Sequence, residues 1–206
     1  MAIDSSALAG LEIHPASAER WPALEQLFGE RGAYAGCWCM FWRMERSAFK
    51  QQKGAGTKAC LKEMLDAGQV PGMLAYVEGE PAGWCALGPR EDFYALDRSR
   101  ILKRVDAAPV WSIACFFVAK PYRQHGLMEH LLRTSVAYAG AHGARIVEGY
   151  PIDLEAPLLA GQRLTSYGGF MGIASVFRKV GFVEVGRASD TQLLMRCTVT
   201  TPAAEG

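Results

Sequence analysis

The sequence predicts a mixed α/β fold: one sheet with antiparallel edges, a parallel strand pair near its middle, and about four flanking helices. Three observations carry this expectation. Residues 110–141 pass from a strongly apolar stretch, WSIACFFV, through a short loop, AKPYRQHG, into an amphipathic stretch, LMEHLLRTSVAYA. Residues 144–152, ARIVEGYPI, then read as another strand. A strand, a crossover helix and a strand form a right-handed unit with parallel strands. Upstream, MLAYVE and AGWCAL are strand-like, with Gly79-Glu80-Pro81 turning between them, so residues 72–88 read as a hairpin.

The remaining elements follow in order. Residues 11–15 read as a short strand. Residues 18–31 read as a helix with Leu24, Leu27 and Phe28 on one face, Ser17 as N-cap, and Gly29 or Gly32 as the stop. Residues 32–44, GAYAGCWCMFWRM, are dense in aromatics and sulfur. A second helix is expected over 58–67, stopped by Gly68. Residues 89–109 form a polar, partly helical connection, and residues 153–168 an irregular one. A short helix over 172–180 ends at Gly181, a residue suited to a left-handed C′ position. Residues 182–185 and 192–198 close the sheet as a strand pair. No internal repeat or low-complexity tract interrupts this order, so residues 1–206 are expected to form one domain, frayed at about 1–10 and 200–206.

Composition narrows the function. Half of the 206 residues are hydrophobic and 21% are charged, a balance typical of soluble globular domains. The net charge of +1 gives no footprint for nucleic acid or an anionic membrane. No apolar run reaches the ~18 residues that span a bilayer. The start, MAIDSSALAGLEIH, has neither the basic region nor the apolar core of a signal peptide. Of the six cysteines at 37, 39, 60, 85, 115 and 197, Cys37 and Cys39 form a C-x-C pair that could bind zinc, but no second pair stands at usable spacing, so no metal is expected. A reduced, cytoplasmic protein, monomer or homodimer, is the expectation.

The loop after the apolar strand carries the sharpest chemical signal. The first N–H groups of a helix have no internal partner, and the helix dipole favours negative charge there. The amides of residues 124–128 (Gln124, His125, Gly126, Leu127 and Met128) are therefore candidate anion ligands. Gly126 permits close approach of a ligand to the backbone. Arg123 either adds a charge-assisted contact or holds the loop.

Two motifs make the chain resemble the GNAT superfamily of acyl-CoA N-acyltransferases. Arg123-Gln-His-Gly126-Leu-Met128 is similar to that family's pyrophosphate motif, with methionine where a small residue is usual. Val176-Phe177-Arg-Lys-Val-Gly181-Phe182 is similar to its tyrosine-containing helix end, with Phe177 in place of the tyrosine. The resemblance spans residues 11–199 in element order. It implies acetyl-CoA as co-substrate, a small-molecule or peptide amine as acceptor, and direct attack in a ternary complex. It also implies a pantetheine arm lying along Phe117, Val118 and Cys115, and a place for Phe177 beside the cofactor.

Phe177 cannot donate a proton to the leaving thiolate, so Tyr167, Ser175 or water is expected to do so. Glu148, sharing a strand face with Tyr150, is the candidate general base; the alternative is a salt bridge to Arg145 or Arg196. Trp38 and Trp42, four residues apart, are candidates to cradle the acceptor, or else to pack the core. Asp153 lies where it would attract a cationic amine. Cys115 is expected to be buried and inert. Two other functions fit the sequence: a non-catalytic acyl-CoA sensor, favoured by Phe177, and a partner-binding protein using the Trp-rich segment.

Overall fold

Strand β3 (Glu80–Pro89) pairs antiparallel with β2 (Gly72–Val77) on one side and with β4 (Trp111–Val118) on the other. A computed structural model of the protein describes residues 5–159 and 169–199. The β2–β3 hairpin turns on Glu78 and Gly79, both at positive φ (51° and 81°). That is the primed geometry whose twist matches the strands, so the turn falls one residue earlier than the sequence suggests. β1 (Glu12–Pro15) pairs with β2. β5 (Ile146–Gly149) runs parallel to β4, as expected from the crossover helix between them. The closing strands are β6 (Val183–Arg187) and β7 (Leu193–Thr198). β7 inserts beside β5 and leaves β6 at the edge, giving one seven-stranded sheet in the order β1-β2-β3-β4-β5-β7-β6.

Period-two alternation divides the core between the two faces of the sheet. Leu74, Trp84 and Ala86 pack on one face with Leu24 and Phe28 of α1 (Trp21–Phe28) and Leu61 and Leu65 of α3 (Ala55–Asp66). Met73, Cys85, Leu87 and Ile113 pack on the other with Leu127, Leu131 and Leu132 of α5 (Leu127–Ala141) and Phe177 of α6 (Ala174–Lys179). β4 breaks the alternation once. Ala86 faces Cys115 and Leu87 faces Ile113, so Ala114 is an extra residue. Ala114 and Cys115 consequently both join the α1 face, while Phe116 returns to the α5 face.

Three helical expectations are revised. Residues 18–20 form a 3₁₀ turn before α1, which Pro22 helps start and Gly29, at φ 61°, ends. Ser17 does not cap the backbone; its hydroxyl accepts a bond from Arg20 at 3.3 Å. A helix not foreseen, α2 (Arg46–Gln52), begins at Glu45, whose carboxylate accepts from the Ser47 N–H. α3 starts three residues before its predicted start because the Thr57 hydroxyl accepts from Gly54 N and donates to Gly36 O. The connection before β4 holds a one-turn helix, α4 (Tyr94–Asp97). Ser5–Leu8 forms a 3₁₀ turn within the amino-terminal stretch expected to fray. The other terminal stretch and most of the connection over 153–168 lie outside the described residues.

Candidate active site

β4 and β5 stay paired for only three residues, Trp111↔Val147, Ser112↔Glu148 and Ile113↔Gly149. Beyond that point they part, and a cleft of about 750 Å³ opens along the exposed edge of β4. At one end the loop after β4 turns sharply, with Gln124 at φ 68° and Gly126 at φ 88°. Two positive-φ residues on either side of His125 curl the backbone so that its N–H groups can aim into one concavity. Gly126 caps α5 without a side chain that could satisfy the helix start. Among the described residues none accepts a hydrogen bond from the N–H groups of 124–128, whereas Tyr122 N and Arg123 N are bonded to Ala119 O and Lys120 O. Arg123 holds the loop: its Nε donates to Val118 O at 2.9 Å.

The cleft gathers Phe117, Val118, Arg123, Gln124, Gly126, Leu127 and Met128, all seven expected from the sequence. His125 is half-buried and does not line it. Another part of the lining is an aromatic wall of Phe41, Trp42, Phe49 and Phe170. Phe170 also crosses the parted edge, its carbonyl accepting from Phe116 N at 2.6 Å. Tyr34, Lys53 and Lys179 join the lining. None of these three was singled out as a site residue, because they come from separate elements that only the fold brings together.

Residues 32–150 match the model of the acetyltransferase (GNAT) family. The chain belongs to that family. Its fold is similar to an acetyltransferase of the GNAT family from Listeria monocytogenes, at 10% identity over 93% of this chain and 98% of the other, with a TM-score of 0.54. It is also similar to the PaiA N-acetyltransferase of Thermoplasma acidophilum, solved in complex with coenzyme A: 13% identity, 92% and 99% coverage, TM-score 0.52. A third likeness is to histone acetyltransferase HPA2 and related acetyltransferase from Corynebacterium glutamicum: 16% identity, 94% and 99% coverage, TM-score 0.51. No curated protein matches the sequence.

The catalytic candidates of this GNAT protein that fall among the described residues, Glu148, Tyr150 and Ser175, do not line the cleft. Glu148 is 0% exposed and shared between two guanidinium groups. Arg90 Nη1 donates to its Oε1, and Arg196 Nε donates to its Oε2 at 2.7 Å. The Tyr150 hydroxyl donates to Oε1 at 2.8 Å and also meets Ser112 Oγ at 2.8 Å. Burial, together with the neighbouring Glu148 charge, pushes the Tyr150 phenol well above its ordinary value. Glu148 is thus the ion-paired residue of the alternative reading, with Arg90 as a partner that the sequence did not reveal. A carboxylate held by two cations is not free to take a proton from an amine.

Other placements are corrected likewise. Phe177 does not border the cofactor cleft; its ring fills space left by Gly149 and Gly172, where a β-carbon would collide with it, and it packs on Phe116 and Phe182. The same helix turns Val176 and Lys179 to the cleft instead, with Ile173 just before it. Ser175 is exposed and outside the lining, and Tyr167 lies outside the described residues. Asp153 is buried near Arg178 (3.5 Å) and Arg187 (3.9 Å), and does not line the cleft. The two tryptophans do not form a pair, because Trp38 and Cys39 have positive φ (43° and 59°) and no helix runs through them. Trp42 lines the cleft, whereas Trp38 stacks on Trp21 at 5.7 Å and borders a separate hollow beside Glu25 and Lys58.

The sulfur-rich segment contributes more than its aromatics. Cys37, Cys39 and Cys115 all line the cleft. Cys39 Sγ accepts from the Trp84 indole N–H at 3.1 Å, and Cys37 Sγ accepts from Cys39 N at 3.3 Å. Hydrogen bonding from the Cys115 thiol is the main influence holding the Cys39 thiol below its ordinary value; Trp84 and the charge of Arg43 add to it, and burial opposes. Cys115, sharing that contact from the other side, is held well above. Burial pushes Cys37 up to about 12. Among the described residues no group of histidine, cysteine or carboxylate side chains could hold a metal ion.

Proposed function

We propose that this protein transfers an acetyl group from acetyl-CoA to an amine of a small molecule or peptide. One observation carries the reading: unpartnered N–H groups at 124–128 open directly into a cleft that follows the edge of β4 where it has parted from β5. A diphosphate suits such a nest, and an arm carrying amides suits a parted strand edge, here beside the point where Phe170 crosses it. Met128, unusual in its motif position, becomes part of the apolar lining. Arg123 supports the nest by fixing the loop to Val118.

The acceptor side favours an amine attached to a flat or apolar body, through Phe41, Trp42, Phe49 and Phe170. Its charged neighbours there include Lys53 and Arg46, whose guanidinium lies 3.8 Å over the Phe41 ring, so a polycationic acceptor gains nothing from this wall. The cleft hydroxyls able to serve the leaving thiolate are Tyr34 and Tyr122. Among the described residues no helix is long and apolar enough to cross a membrane.

The decisive experiment is a screen of amines with acetyl-CoA, read by release of free thiol, alongside calorimetry with acetyl-CoA alone. Binding and turnover are expected. A second reading, an acyl-CoA sensor, is favoured by the enclosure of Glu148 and Phe177 away from the cleft. It predicts binding without turnover for every amine. Absence of binding at millimolar ligand would remove both.

A further inference from the structure

The aromatic wall of the cleft is one packed cluster with positive charge at its border. Phe41 meets Trp42, Phe49 and Phe170 edge to face, at ring separations of 5.0, 5.4 and 6.4 Å. The Arg46 guanidinium lies over the same surface, 3.8 Å from the centre of the Phe41 ring and 4.7 Å from that of Trp42. Lys53 joins the lining at the end of α2, four residues after Phe49, a spacing that makes neighbours on a helical surface. Its aliphatic stem is set against Gly36, where a β-carbon would meet Lys53 Cγ at 3.6 Å. On the next helix Lys58 and Lys62 are paired with Glu25 and Asp66; Lys53 has no such carboxylate among the described residues. The same cleft offers few proton acceptors. Glu129 is the one carboxylate of the described lining, and it is bonded to Arg133. The described lining contains no histidine, and Glu148 is held by two guanidinium groups. Residues 160–168, outside the described set, contain neither carboxylate nor imidazole in their sequence. An aliphatic amine is an ammonium ion at neutral pH and must lose a proton before it can attack. An amine on an aromatic ring shares its lone pair with the ring and is neutral already, so it needs no base, and its flat body suits an aromatic wall.

We propose that the acceptor is an aromatic amine bearing a carboxylate, with its ring against Phe41 and Trp42 and its carboxylate at Lys53 and Arg46. This rests on the acetyltransferase reading and names the class of acceptor that the cleft takes. The nitrogen lone pair forms the amide bond to the acyl carbon, and the carbon–sulfur bond breaks with its electron pair going to the CoA sulfur. The nitrogen gives up one proton and the CoA sulfur takes one up, by way of water or the hydroxyls of Tyr34 and Tyr122. The carboxylate takes no part in these bonds. Lys53 determines specificity: an anion held at the border turns the opposite end of the ring, with its nitrogen, toward the thioester.

The test measures kcat/KM of the whole protein with acetyl-CoA and each of 4-aminobenzoate, aniline and benzylamine. At neutral pH, 4-aminobenzoate is expected to exceed aniline about fivefold, the worth of one exposed ion contact, and both are expected to exceed benzylamine. Between about pH 6 and 8 the 4-aminobenzoate rate is expected to stay level, whereas benzylamine gains about tenfold per pH unit, as its neutral fraction does. Lys53→Gln is expected to bring the ratio of 4-aminobenzoate to aniline close to one. Lys50→Gln, exposed on α2 and outside the lining, is expected to keep that ratio. Benzylamine outrunning both aromatic amines at neutral pH, or a ratio that Lys53→Gln does not move, overturns the proposal and leaves the transferase reading standing. Turnover confined to aliphatic amines does the same. Acetyl-CoA binding with no amine turned over overturns both. Should Lys53→Gln not fold, the comparison of the three amines decides by itself.

Discussion

At position 177 a phenylalanine ring sits on the α5 side of the sheet, enclosed by Phe116, Phe182 and the two glycines at 149 and 172. Truncation to alanine would leave a cavity, and Phe177→Ala is expected to cost about 3–5 kcal/mol in denaturant unfolding. Phe177→Tyr is the more telling change. It recreates a tyrosine, but its hydroxyl would enter an apolar pocket without a partner. It is expected to lose about 1–3 kcal/mol of stability and to gain no activity. The reverse, an increase in thiol release from acetyl-CoA, would place position 177 in the chemistry after all. Glu148 invites a similar separation. Removing its charge leaves Arg90 buried against a neutral amide, so Glu148→Gln is expected to cost about 3–5 kcal/mol. A variant losing turnover at unchanged stability would instead restore Glu148 as the base. Sequence reasoning recognised that Glu148 and Tyr150 share a face. It did not see Arg90, because a partner 58 positions away is brought close only by the sheet.

Among the elements, the start of α5 was the most legible. An apolar strand, a short loop with glycine and an amphipathic helix constrain each other locally, so pattern alone located the nest. Arg123→Ala removes the bond to Val118 O and is expected to weaken acetyl-CoA binding about tenfold, with little change in melting temperature. Gly126→Ala forces a β-carbon into a φ of 88° and is expected to weaken binding more, read by the same calorimetry. Segment 33–42 was the least legible. Its path is fixed by long-range packing on Phe28, Trp84 and α3, and no periodicity announces four left-handed residues. Around α4 and β7 a chain of charges joins distant stretches: Glu91 and Asp97 to Arg104, and Asp106 to Arg196. Hydrogen bonding from Arg104 holds the Glu91 carboxyl below its ordinary value, and Arg196 does the same for Asp106. Both folded-state values lie below those of the unfolded chain, about 4.3 for glutamate and 3.9 for aspartate. Their contribution is therefore fully present above those values and is lost as pH falls through the folded ones. Denaturant midpoints measured from pH 6 downward are expected to fall in that acid range. The fall is expected to be shallower in Arg104→Gln.

Across the whole molecule, the sheet's parallel pair and antiparallel flanks were readable because chain order restricts how strands can neighbour one another. The position of β7 inside β6 was not, since a closing hairpin can dock by either strand. Helices cover both faces, and the cleft lies where β4 and β5 separate. The Ala114 bulge has a consequence for how this molecule tolerates change. Keep that residue but iron the bulge out, and β4 recovers strict up-and-down order, which obliges one half of the strand to turn over relative to the other. Phe116 and Phe117 would exchange the two hydrophobic interiors they now serve, and the thiol beside the strand fork would swing to the far side. One surplus amino acid thus lets a single ribbon satisfy two cores whose demands are out of phase.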